Sequence, residues 1–541
     1  MWSDLKNNKE NRYKCITLIL FVCVITALAW QSDDAYHAYI MAKNLVLGNG
    51  FVYNVGERVT ASSCPLFTLV VAAGYFVFRK MFLVSLLICI IFSSLAYFIV
   101  MKYFCKNVKQ VVVTFFVLTG SACFISYTTS GLENCLLFFL VALFLKVYFL
   151  KDKYNSSDLF KMAILVALIA TTRMDAVLLV VPMALYAYLV KRDEVSFFKA
   201  VGIGFAGLSP FIIWEIFSLF YYGFPVPNTA FVKLGTGIPE IEYIKRGIQY
   251  LLTSAMCDVL LIAVPVFSVI VTLLIKKWNY IYCSLGTVLY VIYVIYIGGD
   301  FMLGRHFTVL FFMSLLCFLD AENHDFGGSL SKIIIERIAL IIAAVGILSN
   351  LSSPVIANQF LFGYGNSPIS DERAGYFKYT SLFNNTISVI KTGEMVIRDA
   401  WNEQGIDEIR GYNLPGGILR SVPGITIYYN SDLYLNDQYA LGDPFLSKLP
   451  AVREDNWRIG HMWREVPKGY YETVYYEENL LEDENLREYL EVIRLITRGK
   501  LFDKDRIQAI IDINLGKYDY LIDNYVETLD ENNMKIAEGE N

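Results

Sequence analysis

Asp33 and Asp34 are adjacent carboxylates that directly follow a long apolar run, Cys15 to Trp30. Mutual repulsion raises the pKa of one of such a pair toward the range where it can take a proton from a hydroxyl, and the two together could orient a divalent cation. The plainer alternative is a solvated, charged stop to an apolar helix. Further acidic residues occupy similar positions: Glu133 and Asp175 flank other apolar runs, and Asp300 follows Gly298 and Gly299. Glu133 would also suit the positive end of a helix dipole, Asp300 would cap the helix after it, and Arg173 and Asp175 would pair with each other. No His-x-x-His or His-Glu-x-x-His spacing occurs, so no metal centre of the usual kind is indicated. A divalent ion held by Asp33, Asp34 and a third carboxylate stays open, and no other cofactor is implied.

The elements that must position these groups are mostly apolar. The chain has 541 residues, of which 56% are hydrophobic and only 18% charged, outside the range of soluble domains. Its apolar residues gather in long, nearly uncharged runs that read as about eleven transmembrane helices: 13–31, 81–101, 111–128, 132–150, 161–172, 176–190, 198–221, 250–275, 279–297, 306–319 and 333–352. Leu66 to Phe78 is too short and begins after Pro65, so it reads as a juxtamembrane or re-entrant helix. With the N-terminus inside, the basic residues Lys6 to Lys14, Lys102 to Lys109, Lys151 to Lys161, Lys191 to Lys199 and Lys276–Lys277 all fall on inner loops, as the positive-inside rule requires. Counting 66–78 as a span would invert that pattern. The carboxylates above then share the outer face. A transmembrane domain over 1–353, with a first outer loop at 32–80, is followed by an extracytoplasmic soluble domain over 354–541.

A net charge of −5 with no basic patch gives nucleic-acid binding no support. The ten cysteines, Cys15 to Cys317, include no Cys-x-x-Cys pair and none lies in the tail, which excludes a disulfide-stapled outer domain. Within the outer loop, Ala35 to Leu47 has the look of an interfacial helix closed by Gly48. In the tail, Ile425 to Tyr429 alternates as a strand does and Leu480 to Thr497 has helical spacing, which suggests an α+β module.

The run Asp33 to Thr68 resembles the first outer loop of the GT-C glycosyltransferases, in particular the cell-wall terminal arabinofuranosyltransferases. It carries the acidic pair, Ala42-Lys43-Asn44-Leu45, Gly48-x-Gly50, Gly56-Glu57-Arg58-Val59 and Ser63-Cys64-Pro65-Leu66. Further words follow in order: Ser130 to Glu133, Pro227 to Lys233, Gly298 to Met302 with Arg305, and, in the tail, Asp437 to Pro444, Trp457 to His461 and Val466 to Tyr470. Ile40 stands where the family commonly has an Arg-like residue, and His37 is unusual there.

That resemblance implies a polytopic α-helical membrane protein of GT-C type in a bacterial cytoplasmic membrane. It implies transfer of a sugar from a polyprenyl-phosphate donor to a hydroxyl of a cell-envelope glycan, with Asp33 or Asp34 acting on the acceptor. A departing lipid phosphate needs cationic donors; Arg58, Arg173, Lys233 and above all Arg305, posed by Asp300, are the candidates. Lys43, Asn44, Glu133, Asp175, Asn228 and His461 would contact substrates, and the aromatics Trp457, Trp463, Tyr470 and Tyr471 would meet the glycan. Each also has a structural reading: interfacial snorkelling for Arg305, a turn for Pro227-Asn228-Thr229, core packing for the aromatics. Two other classes compete. A lipid-linked sugar transporter or flippase would carry internal repeats and mid-span charges, whereas the candidate acidic residues cluster at one face. A non-catalytic membrane protein could keep the same fold.

Overall fold

The computed structural model describes residues 9–324, 329–351, 367–395, 418–420, 424–431, 433–437, 439–452, 456–523 and 525. It is mostly helical, as the apolar runs require, and every expected span that they mark contains helix. Three of the described helices are long and apolar enough to cross a membrane, Met81–Phe104, Phe197–Tyr221 and Trp278–Tyr296; a bent pair makes a fourth if it counts as one span. The helices at the other expected span positions fall short of that length or apolarity. The 353/354 domain boundary lies outside the described residues, as does Lys6.

Two expected spans are broken. The run 250–275 divides into Glu240–Cys257 and Leu260–Ile275, which meet at 100°. The run 111–128 divides at Ser121 into Val108–Gly120 and Ala122–Tyr127. One carboxylate explains both breaks. Asp258 Oδ2 accepts from the Ser121 hydroxyl at 2.7 Å and the Cys123 amide at 3.0 Å, so it satisfies an amide at the start of Ala122–Tyr127 that the broken ladder leaves without a partner.

The chain forms two compact units, each assembled from separated stretches. The first takes residues 1–32, 82–211 and 243–395 and is built from the apolar helices. Its Arg305–Glu322 helix is buried along almost its whole length. The second takes 33–81, 212–242 and 396–541, so the first outer loop and the tail belong to one body. There Val232, Phe445, Leu446, Tyr470 and Leu481 pack with Leu490, Ile493 and Ile496 of Glu484–Arg498 and Ile510 of Lys504–Asn514. The helical spacing of 480–497 is thus realised. The strand expected at Ile425 to Tyr429 is instead the helix Gly424–Tyr429, because its N-terminal amides are capped by Asp33. Among the described residues the β content is one parallel pairing of Ile418–Arg420 with Tyr434–Asn436 and isolated bridges, so in the described part of the tail, expected to be α+β, helices and irregular turns far outweigh strand.

Candidate functional site

The candidate residues divide between the two units. In the first, Glu133 ends the Ser130 to Glu133 turn, in which Gly131 has φ +79, and is buried at the start of Asn134–Phe149. One of its oxygens accepts from both Arg173 Nη1, at 3.0 Å, and Arg305 Nη2, at 2.8 Å. Arg173 also grips Asp175 bidentately, Nε to Oδ1 at 2.8 Å and Nη2 to Oδ2 at 3.0 Å. Arg305 Nη1 lies 3.6 Å from Asp300. The Asp300 that was expected to pose Arg305 is therefore in ion-pair range, but Glu133 is its closer partner.

His306 joins the two ends of this chain of charges. Its Nδ1 is 3.3 Å from Asp175 Oδ2 and its Nε2 is 3.7 Å from Asp300 Oδ2. The Tyr290 hydroxyl lies 3.3 Å from Asp175 and 3.2 Å from His306 Nδ1. Burial works against the Asp175 anion, but the Arg173 fork outweighs it, and with His306 it holds the carboxyl well below the usual carboxylate range. Three carboxylates face two guanidiniums, so the group is not an excess-positive anion hole. Phosphate oxygens would have to compete with these carboxylates for the guanidiniums.

The loop Gly298 to Gly304 sets this geometry. Gly299 has φ +77, and a Cβ there would lie 2.5 Å from the Tyr250 ring. Gly304 has φ +69 and faces Cys123 and Leu261 at similar range. Only glycine meets both demands. The loop is pinned by Ser370, which exchanges backbone bonds with Phe301 and Leu303, and by the Tyr250 hydroxyl, which donates to the Met302 carbonyl at 3.0 Å.

In the second unit most candidates hold backbone. Both oxygens of Asp33 accept amides, from Gly424 at 2.7 Å and Ile425 at 2.9 Å. Asn44 donates to the Val52 and Tyr53 carbonyls and fixes the turn after Ala35–Leu47, where Gly48 is left-handed as expected. Asn228 donates to the Ala440, Leu441 and Asp443 carbonyls and accepts from the Ser447 hydroxyl. Arg58 donates to the Ile496 and Gly499 carbonyls and so closes the C-terminus of Glu484–Arg498. Lys43 donates to the Ser431 hydroxyl at 2.7 Å and sits over the Tyr428 ring.

Asp34 differs. It precedes Ala35–Leu47 without making a side-chain cap bond and is partly exposed. Its charge is felt by His37 and by His461. Burial, opposed by Asp34, brings the His461 imidazole down to about 4. Lys233 lies beside Gly460, where a Cβ would come within 3.2 Å of its Cε. His461 and Trp463 both pack on Tyr439, with centroids 5.1 and 4.8 Å away. Trp457 and Tyr470 are buried, so of the expected glycan contacts Trp463 and Tyr471 reach the surface. Ligand atoms of Asp33, Asp34 and His37 all lie within 4.8 Å of one another, a spacing that would fit a cation. Asp33, however, has both oxygens on amides.

Sequence reasoning missed His306, although it follows Arg305 directly; a titratable side chain one residue from a candidate was the available signal. It also left Tyr250, Tyr290 and Asp258 unassigned, since tyrosines and a lone Asp inside apolar runs carry no spacing signal. Comparison with known protein families, with curated proteins and with solved structures gives no match to this chain.

Proposed function

We propose that this chain is a multi-pass membrane glycosyltransferase that moves a sugar from a polyprenyl-phosphate donor to a glycan hydroxyl on the outer face of a bacterial cytoplasmic membrane. The observation that carries the reading is the buried group formed by Glu133, Arg173, Asp175, Asp300, Arg305 and His306. Charges buried among apolar helices cost stability unless fully paired, and in a membrane protein they mark sites of function by default. Asp34 is the better base of the acidic pair, because Asp33 is committed to two amides. In the proposed step the acceptor hydroxyl gives its proton to Asp34 as its oxygen bonds to the anomeric carbon. The bond from that carbon to the lipid phosphate breaks, and the phosphate leaves with the electron pair.

A second reading, a non-catalytic membrane protein, has its own observation: Asp33, Asn44, Arg58 and Asn228 each bind backbone groups through their side chains. Transfer by the purified, reconstituted protein from a panel of polyprenyl-phosphate sugars separates the two. Asp34→Asn should abolish transfer and leave thermal stability in detergent unchanged. Full turnover in that variant would remove the catalytic assignment, and absence of transfer from every donor would favour the second reading.

A further inference from the structure

The elbow between Glu240–Cys257 and Leu260–Ile275 exposes an apolar surface with two limbs. On the first helix the exposed apolar residues are Ile241 (57%), Ile248 (44%), Leu252 (57%) and Met256 (86%), one stripe at helical spacing. The stripe continues through Val259 (50%) onto Val266 (49%), Ile270 (38%) and Leu273 (66%) of the second helix. The limbs meet at 100°. On the opposite side of the first helix Tyr243, Gly247, Tyr250 and Ser254 are buried. Gly247 lies so close to Ile295 that a Cβ there would overlap its carbonyl, and Tyr250 stacks on Phe307 at 5.3 Å. The outward direction of the stripe is therefore fixed by packing.

We infer that Glu240–Cys257 lies in the plane of the membrane interface, with Ile248, Leu252 and Met256 at the headgroup and acyl boundary, while Leu260–Ile275 descends into the hydrocarbon. This rests on the membrane placement proposed above. A bilayer is the one surface that covers both limbs continuously, because its boundary runs along the first helix and its acyl chains along the second. A straight continuation of the two helices would run about 50 Å, well beyond a hydrocarbon core of about 30 Å. Lys245 lies on the stripe itself, one turn before Ile248, and Arg246 lies to its side; from an in-plane helix their long stems would carry charge out to lipid phosphates. The same helix supplies Tyr250, whose ring fills the space beside Gly299. Seating of the helix on lipid thus reaches the loop that carries Asp300 and Arg305.

Spin-label accessibility on the full chain in lipid nanodiscs tests this. Cys15, Cys23 and Cys257, the cysteines that are not buried, are first replaced by serine. Labels at Leu252→Cys and Met256→Cys should show an oxygen-to-nickel-chelate accessibility ratio several-fold above that at Arg246→Cys, on the side of the helix away from the stripe, and the two should report equal depth. Labels at Val266→Cys and Ile270→Cys should lie about 10 and 16 Å deeper than one at Val259→Cys, given 1.5 Å per residue. Aqueous labels at 252 and 256 with buried labels at 266 and 270 would overturn the in-plane helix and leave the membrane reading intact. A steady gain in depth from 248 through 270 would overturn it in favour of a continuous span. Aqueous labels at every position would end both readings.

Discussion

At the scale of single residues, Glu133 is the hinge of the buried charge group, since one oxygen serves two guanidiniums. Glu133→Ala would leave Arg173 with Asp175 alone and Arg305 with the more distant Asp300. Removing one partner of a buried pair costs about 3–5 kcal/mol, so the expected outcome is a large fall in the thermal midpoint in detergent. An unchanged midpoint would mean that the arginines find water instead. Asp33 and Asp34 should separate by phenotype. Asp33→Ala removes the cap of Gly424–Tyr429 and should cost about 1–2 kcal/mol, read as faster hydrogen exchange at residues 424–431, whereas Asp34→Ala should leave that exchange unaltered. Burial raises Asp437 to about 7 and Asp443 to about 6, against the amides that each accepts. A carboxyl whose folded pKa is raised holds its proton more firmly when folded, so the stability it lends is lost as pH climbs through that value. His461, held down to about 4 when folded, works in the opposite direction up to and around its unfolded pKa of about 6.5, so the carboxyl's share is read against an Asp437 variant. Relative to Asp437→Asn, hydrogen exchange at 439–449 in the unaltered protein should therefore quicken between about pH 4 and 7 beyond its intrinsic pH dependence.

At the scale of elements, the breaks matter more than the helices. Composition marks 250–275 as one apolar run, yet Asp258 turns it by binding the amide and hydroxyl that the break at Ser121 leaves open. The two interruptions are one structural event, which no local window contains. The Gly298 to Gly304 loop carries the same kind of constraint. Gly299→Ala would press a methyl against the Tyr250 ring at a φ that side chains disfavour. Overpacking of this kind costs about 1–3 kcal/mol. The expected result is a lowered thermal midpoint that Tyr250→Ala fails to restore, because the same ring also packs on Phe307 and its hydroxyl holds the Met302 carbonyl.

At the scale of the whole molecule, the units are drawn from interleaved stretches: the loop after Ser32 and the segment 212–242 join the tail, and 243–395 joins the apolar helices. The proposed topology puts Lys151 and Lys191 inside and the tail outside. A protease site inserted after Lys500 should be cut in intact spheroplasts, and one inserted after Lys153 only after lysis; the reverse pattern would invert the topology. The sequence by itself determined that helices dominate, where most of them lie, that Ala35–Leu47 ends at Gly48, and which polar residues stand at the ends of apolar runs. Those are properties of periodicity and of single residues, and local chemistry enforces them. Tertiary structure decided what the polar residues do. Asp33, Asn44, Arg58 and Asn228 are committed to carbonyls and amides that lie from eight to several hundred positions along the chain, and His306 closes a group whose members begin at Glu133. A hydrogen-bonding side chain satisfies whichever backbone group the fold brings within about 3 Å, and that proximity is set by packing rather than by the residue's own identity.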